Sequence, residues 1–229
     1  MSTDKHHLTK KELKEDSLIT GYYKAYALFE QYKKEVFIGL GVAALIIAGI
    51  IFYNYYQNEQ SIKAEAALAK VMPSYDGGAY LEAIEGKAGT DILGLQKIVD
   101  SYGSTEKGNV AKIYLANSFY NLGKVEKAKE YYDSYSGSNE MFRATSYAGL
   151  AACAESAEKW EEAANEYIRA AKVSDKNALT PRYLILAAVN YIKLNKVNEA
   201  KELLDQVKAD YSYSLFARDA DKYLQLVKQ

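Results

Sequence analysis

Cysteine, histidine and proline are scarce. The 229 residues include one Cys, two His and two Pro, and 29 Lys+Arg against 30 Asp+Glu leave a net charge of −1. A single Cys excludes an internal disulfide and a Cys-rich zinc framework. Both histidines, His6 and His7, lie at the N-terminus, so the body of the chain has no imidazole to serve as general base or metal ligand. The charge balance lacks the excess of Lys and Arg that holds nucleic acid, and no such partner is expected. No phosphate-binding Gly loop and no Ser/His/Asp constellation can be assembled. Neighbouring acids such as Glu161 and Glu162, beside Trp160, solvate a helix face. Cys153, in LAACAES, reads as a small core residue. The expectation is a protein that is not an enzyme and needs no cofactor or metal.

What is present begins with one long uncharged run, from Val36 to Asn58, containing VFIGLGVAALIIAGIIFY. As a helix it spans roughly 35 Å, enough to cross a hydrocarbon core of about 30 Å. Tyr32 and Phe37 at one end and Phe52, Tyr53, Tyr55 and Tyr56 at the other place amphipathic rings at both interfaces. The polar residues ahead of the run and the YNYYQNEQ after it do not read as a cleaved signal. The bilayer is therefore expected to be met through residues 36–56, by a single uncleaved span. Lys24, Lys33 and Lys34 lie closer to the span than Lys63 and Lys70, which favours a cytoplasmic N-terminus and a large C-terminal part on the far side.

Residues 1–35 form a charged arm with seven Lys and six Asp/Glu, too short for its own core. Thr9-Lys10-Lys11-Glu12 matches a capping box, so a helix is expected from near Thr9, with a possible break at Gly21. Tyr22, Tyr26 and Phe29 share one helical face. That face suits a membrane surface or a protein partner, and a plain solvated extension of the anchor is the alternative.

Beyond the span, Ala, Leu and Tyr recur at three- and four-residue spacing, broken by short Gly, Ser or Asn stretches. A first helix is expected through Gln60 to Val71, ending before Pro73. Three segments then align: AKIYLANSFYNLGKVEKAKEYYDSYS from Ala111, SYAGLAACAESAEKWEEAANEYIRAAK from Ser146, and RYLILAAVNYIKLNKVNEAKELLDQVK from Arg182. Their turn positions, Gly123, Glu158 and Asn195, stand 35 and 37 residues apart. The pattern resembles the tetratricopeptide repeat, a helix-turn-helix unit of 34 residues. Carried over, the first-helix signature falls on Leu115, Ala116 and Phe119, then Leu150, Ala151 and Ala154, then Ala187, Ala188 and Tyr191. The second-helix signature falls on Ala128 and Tyr132, Ala163 and Tyr167, and Ala200 and Leu204. Asp91 to Tyr102 resembles the second helix of a worn leading repeat.

The expected fold class is all-α, a single N-terminal transmembrane helix followed by a tetratricopeptide-like helical solenoid. The expected boundaries are an arm over 1–35, the span over 36–56, a membrane-proximal helical linker over 57–90 and the solenoid over 91–229. Within the solenoid the repeats run about 109–140, 144–175 and 181–212, with a closing helix over 214–228. Such solenoids bind peptides along their first helices. By that resemblance the groove is lined by Ile113, Asn117, Tyr120 and Asn121, then Glu155, then Arg182, Ile185, Val189 and Lys193. The positions that grip a carboxylate tail in some relatives fall on Ile113, Asn117, Gly149, Arg182 and Leu186, of which only Asn117 and Arg182 keep the pattern.

The layout, with KKELKEDSLITGYYKAYALFEQYKK before the anchor and LGLQKIVDSYGSTEKGNVAKIYLANSFYNLGKVEKAKEYY after it, resembles the YfgM-type ancillary Sec translocon subunits, especially their Bacteroidetes-like members. That resemblance implies a scaffold in the bacterial inner membrane, its domain in the periplasm, with translocon subunits, periplasmic chaperones or nascent chains as partners. A structural assembly factor of another membrane complex is the alternative.

Overall fold

The uncharged run and its flanks form one helix, α1 (Lys10–Asp76). The computed structural model describes the backbone of residues 10–227 and the side chains of 19–227. His6, His7 and the Thr9 cap lie outside the described residues. The chain divides into one unit ending at Tyr56 and a second beginning at Gln57.

In the first unit, Gly21 does not break the helix. A helical glycine costs about 1 kcal/mol, too little to stop a run of good helix formers. The bend falls instead at Tyr32, whose φ of −114° and ψ of 18° leave helical geometry. The part of α1 from Ile19 onward is long and apolar enough to cross a membrane, and its most apolar stretch is wholly exposed.

The second unit opens with the end of α1, which runs past Pro73 to Asp76 rather than stopping before it. An interior proline costs about 3 kcal/mol. Against this, Val71 is buried and the Tyr75 ring meets Tyr80 and Tyr114 edge-on at centroid distances of 5.8 and 4.9 Å. Burial of about 1.5–3 kcal/mol and about 0.5–1.5 kcal/mol per ring pair outweigh the loss. Then follow α2 (Tyr80–Glu85), α3 (Leu95–Tyr102), α4 (Glu106–Asn121), α5 (Val125–Asp133), α6 (Glu140–Ser156), α7 (Trp160–Lys172), α8 (Thr180–Lys193), α9 (Val197–Asp210) and α10 (Ala217–Leu226). No strand occurs among the described residues; Gly86 and Leu93 form one isolated bridge.

The stretch 57–90 packs as part of this unit instead of acting as a linker. Ala64, Leu68 and Val71 of α1 and Ala83 and Ile84 of α2 are buried in one cluster with Leu95, Ile98, Leu115, Phe119 and Tyr132. A second cluster joins α6 to α10 through Ala151, Ala164, Tyr183, Leu184, Leu204 and Leu224. The helix α6 serves both, with Leu150 and Cys153 in the first and Ala144 and Ala151 in the second.

Each hairpin is turned in the same way. Gly123, Glu158 and Asn195 have φ of 71°, 55° and 57°. The amide of the Lys that follows each of them donates back to Phe119, Ala154 or Tyr191 oxygen at 2.9 Å. This six-to-one bond with a left-handed residue is the Schellman closure. Left-handed backbone costs an ordinary residue about 1 kcal/mol, less for Asn and nothing for Gly. Glu158→Gly is therefore expected to stabilise the domain by up to about 1 kcal/mol, net of glycine's greater unfolded-state entropy, and Gly123→Ala to destabilise it by a similar amount. Urea unfolding followed by circular dichroism reads both; a destabilised Glu158→Gly variant would show that the turn is held by something else.

Candidate functional site

The residues that the resemblance assigns to the groove fall into three groups. Ile113 and Ile185 are 1% and 6% exposed, inside the two core clusters. They are corrected to core residues, because helical periodicity points them at the neighbouring helices. Asn117, Tyr120, Glu155 and Val189 are half-buried. Asn121, Arg182 and Lys193 are exposed.

Asn117 on α4 is engaged at both ends of its amide. Its Nδ2 donates to the Tyr75 hydroxyl at 3.0 Å, and its Oδ1 accepts from the Tyr132 hydroxyl at 2.5 Å. Asn121 Nδ2 donates to the Asn117 carbonyl oxygen at 2.8 Å. One repeat further on, Glu155 accepts from Tyr167 at 3.2 Å and from Asn190 Nδ2 at 2.6 Å. The Tyr120 hydroxyl lies 3.3 Å from Ser156 Oγ and 3.5 Å from the Ala152 carbonyl oxygen, joining α4 to α6. Lys193 sets its ammonium 3.7 Å from the centre of the Trp160 ring. The structure thus brings Asn117, Tyr120 and Glu155 into ladders of hydrogen bonds between helices. Asn121, Arg182 and Lys193 are the selected residues that face solvent. Gly149 is small for a steric reason: a Cβ there would stand 2.3 Å from the Tyr132 ring.

Tyr75, Tyr132, Tyr167 and Asn190 complete these ladders and were not selected from the sequence as site residues. Tyr132 and Tyr167 carry a legible signal, since both hold the large second-helix position of a repeat. Asn190 is a lone polar residue within LILAAVNYI. Tyr75 has no signal, because it reaches α4 from an element 42 positions away.

Away from this face, a hollow of about 670 Å³ opens between the α7–α8 and α9–α10 connections, lined among others by Leu179, Pro181, Asp210, Tyr211, Leu215 and Phe216. None of the selected residues lines it. Among the described residues no three of His, Cys, Asp and Glu converge as metal ligands.

Burial pushes the Cys153 thiol up to about 11, and its Sγ donates weakly to the Val125 carbonyl oxygen at 3.7 Å. The thiolate needed for nucleophilic or redox chemistry is suppressed. Burial likewise pushes the Tyr132 and Tyr167 phenols well above the ordinary range. The folded state holds these protons more tightly than the unfolded chain. Their contribution is thus whole below a pH of about 10 and is lost as pH rises through the folded values. The thermal midpoint is expected to fall steeply once the medium passes that point. Tyr132→Phe should flatten the fall while costing about 1 kcal/mol at neutral pH through the hydrogen bond to Asn117. A fall left unchanged in both Tyr132→Phe and Tyr167→Phe would assign the alkaline transition to other groups.

A family model described as a tetratricopeptide repeat-like domain matches residues 26–172, from the second half of the arm through α7. Comparison with curated proteins gives no match.

Proposed function

Because the chain belongs to the tetratricopeptide repeat-like family, we propose that it is a membrane-anchored adaptor that binds other proteins and catalyses nothing. Its anchor is α1 across residues 36–56, its N-terminus is cytoplasmic, and its domain faces the periplasm from a bacterial inner membrane. In this reading it is a YfgM-type subunit beside the Sec translocon, recruiting chaperones or nascent secreted chains. The observation that carries the reading is the combination on one chain of an exposed apolar helix and three identically turned hairpins. Anchoring confines the binding face to the layer where emerging chains are concentrated, which raises their effective concentration without any new contact.

Asn121, Arg182 and Lys193 are the contact residues of this reading. They offer amide, guanidinium and ammonium donors on α4 and α8. Photo-crosslinkers placed at these three positions in cells, with mass spectrometry of the adducts, test it. Translocon subunits, a periplasmic chaperone or many secreted chains are the expected captures. Adducts to one unrelated membrane complex at every position would overturn it in favour of an assembly factor. That second reading draws support from Asn117, whose amide is already taken up by Tyr75 and Tyr132 of the same chain.

A further inference from the structure

The arm segment ahead of the span carries an aromatic face that no other described residue of the first unit covers. Tyr22, Tyr23, Tyr26, Phe29 and Tyr32 are all exposed, between 44% and 66%. The rings organise one another along the helix: Tyr22 stacks on Tyr26 at 6.4 Å, and Phe29 meets Phe37 edge-on at 6.2 Å across the bend. At about 100° per residue, Ile19, Tyr22, Ala25, Tyr26 and Phe29 fall within an arc of roughly 120°, while Thr20, Lys24 and Gln31 lie opposite. By the same rotation Lys33, just past the bend, falls inside the aromatic arc; it is paired with Glu30 at 2.9 Å, and its stem is long enough to carry the ammonium out to the phosphates.

Distance decides what can cover this face. From Tyr22 to Val36 a straight helix climbs about 20 Å. The polar layer of a bilayer is only about 5–8 Å deep on each side of the hydrocarbon. A straight continuation of the span would leave Tyr22 and Tyr26 in bulk water, where four exposed aromatic rings within eight residues gain nothing. The non-helical backbone at Tyr32, four residues before the uncharged run, separates the arm from the span and frees its direction.

We infer that residues 19–31 form an interfacial helix lying in the plane of the membrane, with Tyr22, Tyr26 and Phe29 sunk to the headgroup–acyl boundary and Lys24 turned to water. The occupant of the aromatic face is the lipid surface itself. Rings of this kind favour that layer, and an amphipathic helix with an apolar aromatic face and a polar opposite face lies in it. The same chain already enters the bilayer a few residues later, so the surface is present at no further cost of association. This inference rests on the anchor reading of residues 36–56.

The test uses the full chain reconstituted in vesicles of phosphatidylcholine with phosphatidylglycerol. Tyr26→Trp and Leu45→Trp are compared, the emission of Trp160 in the unsubstituted chain being subtracted. Lipids brominated high in the acyl chain should cut the Y26W emission by roughly half, and lipids brominated near the chain end much less. For L45W the order should reverse. Quenching of L45W with none of Y26W would overturn the interfacial arm while leaving the anchor standing, and would give the aromatic face to water or a protein. Absence of quenching in both variants would overturn the anchor reading and the interfacial arm with it.

Discussion

Gly108→Ala is expected to destabilise the helical domain by about 3 kcal/mol or more, against the gain of about 1 kcal/mol that alanine brings to a helix in isolation. A Cβ at position 108 would stand 1.7 Å from the Tyr102 carbonyl oxygen and 2.8 Å from the Gly103 nitrogen. Both are backbone atoms, and neither can swing aside. The Tyr102 oxygen is held where it is by the Thr105 amide and the Thr105 hydroxyl, each donating to it at 2.8 Å. The Thr105 hydroxyl oxygen in turn accepts from Gly108 N–H at 3.0 Å as the N-cap of α4. The α3–α4 corner is thus a closed ring of hydrogen bonds with room for a hydrogen atom at its centre. Thermal unfolding of the full chain in detergent should show a midpoint lower by about 10 °C. A midpoint within about 2 °C of the unsubstituted chain would mean that the corner opens far more easily than its bonding indicates.

The second large effect is at Gly149, where the obstacle is a side chain and the remedy can be tested. An alanine Cβ would meet Tyr132 Cζ at 2.3 Å and Cδ1 at 2.6 Å. The ring is buried, and its hydroxyl is tied to Asn117. Moving it breaks that bond and disturbs the packing between α5 and α6, so Gly149→Ala is expected to cost about 2–3 kcal/mol. Tyr132→Leu alone loses the hydrogen bond and part of the ring's burial. Combined with Gly149→Ala, however, it removes the clash, so the pair should be less destabilising than the sum of the two. A double-mutant cycle by urea unfolding measures this coupling, expected at about 1 kcal/mol or more in the direction of rescue. Strict additivity would show that Gly149 is small for a reason unconnected with Tyr132.

The all-α class, the single apolar N-terminal helix and the tetratricopeptide-like character were legible because each rests on a repeated signal. Ala128, Ala163 and Ala200 are completely buried, as close helix approach demands of the small position. The turn positions Gly123, Glu158 and Asn195 share a left-handed backbone although their residue types differ, which register revealed and composition could not. What escaped was set by long-range packing. The continuation of α1 beyond Pro73 depends on ring contacts with Tyr114, a residue from another helix. Local rules for proline cannot see such a partner. Ile113 and Ile185 were assigned to a groove by alignment, but a shift of one position along a helix turns a side chain by about 100°, enough to move it from the surface into the core. The polar ladders were illegible because a hydroxyl on a tyrosine gives no sign of which amide it will meet.

The sharing of α6 between the two apolar clusters bears on how the domain comes apart. Neighbouring hairpins in such an array support one another only through their common wall. Here the wall presents Leu150 and Cys153 to one side and mainly Ala144 and Ala151 to the other. The alanines let α7 and α8 approach closely, and across that seam Glu155 of α6 accepts from Tyr167 and Asn190 while Arg169 lies over the Tyr147 ring at 4.2 Å, so α6 stays with the C-terminal hairpins. The C-terminal hairpins can therefore open as a block while the stretch from Gln57 to α5 stays closed, and amide protons in α8 to α10 should exchange ahead of those in α3 and α4. Within the second unit, the half that begins at Gln57 would then act as the permanent frame and the C-terminal half as the part able to reshape around a protein partner.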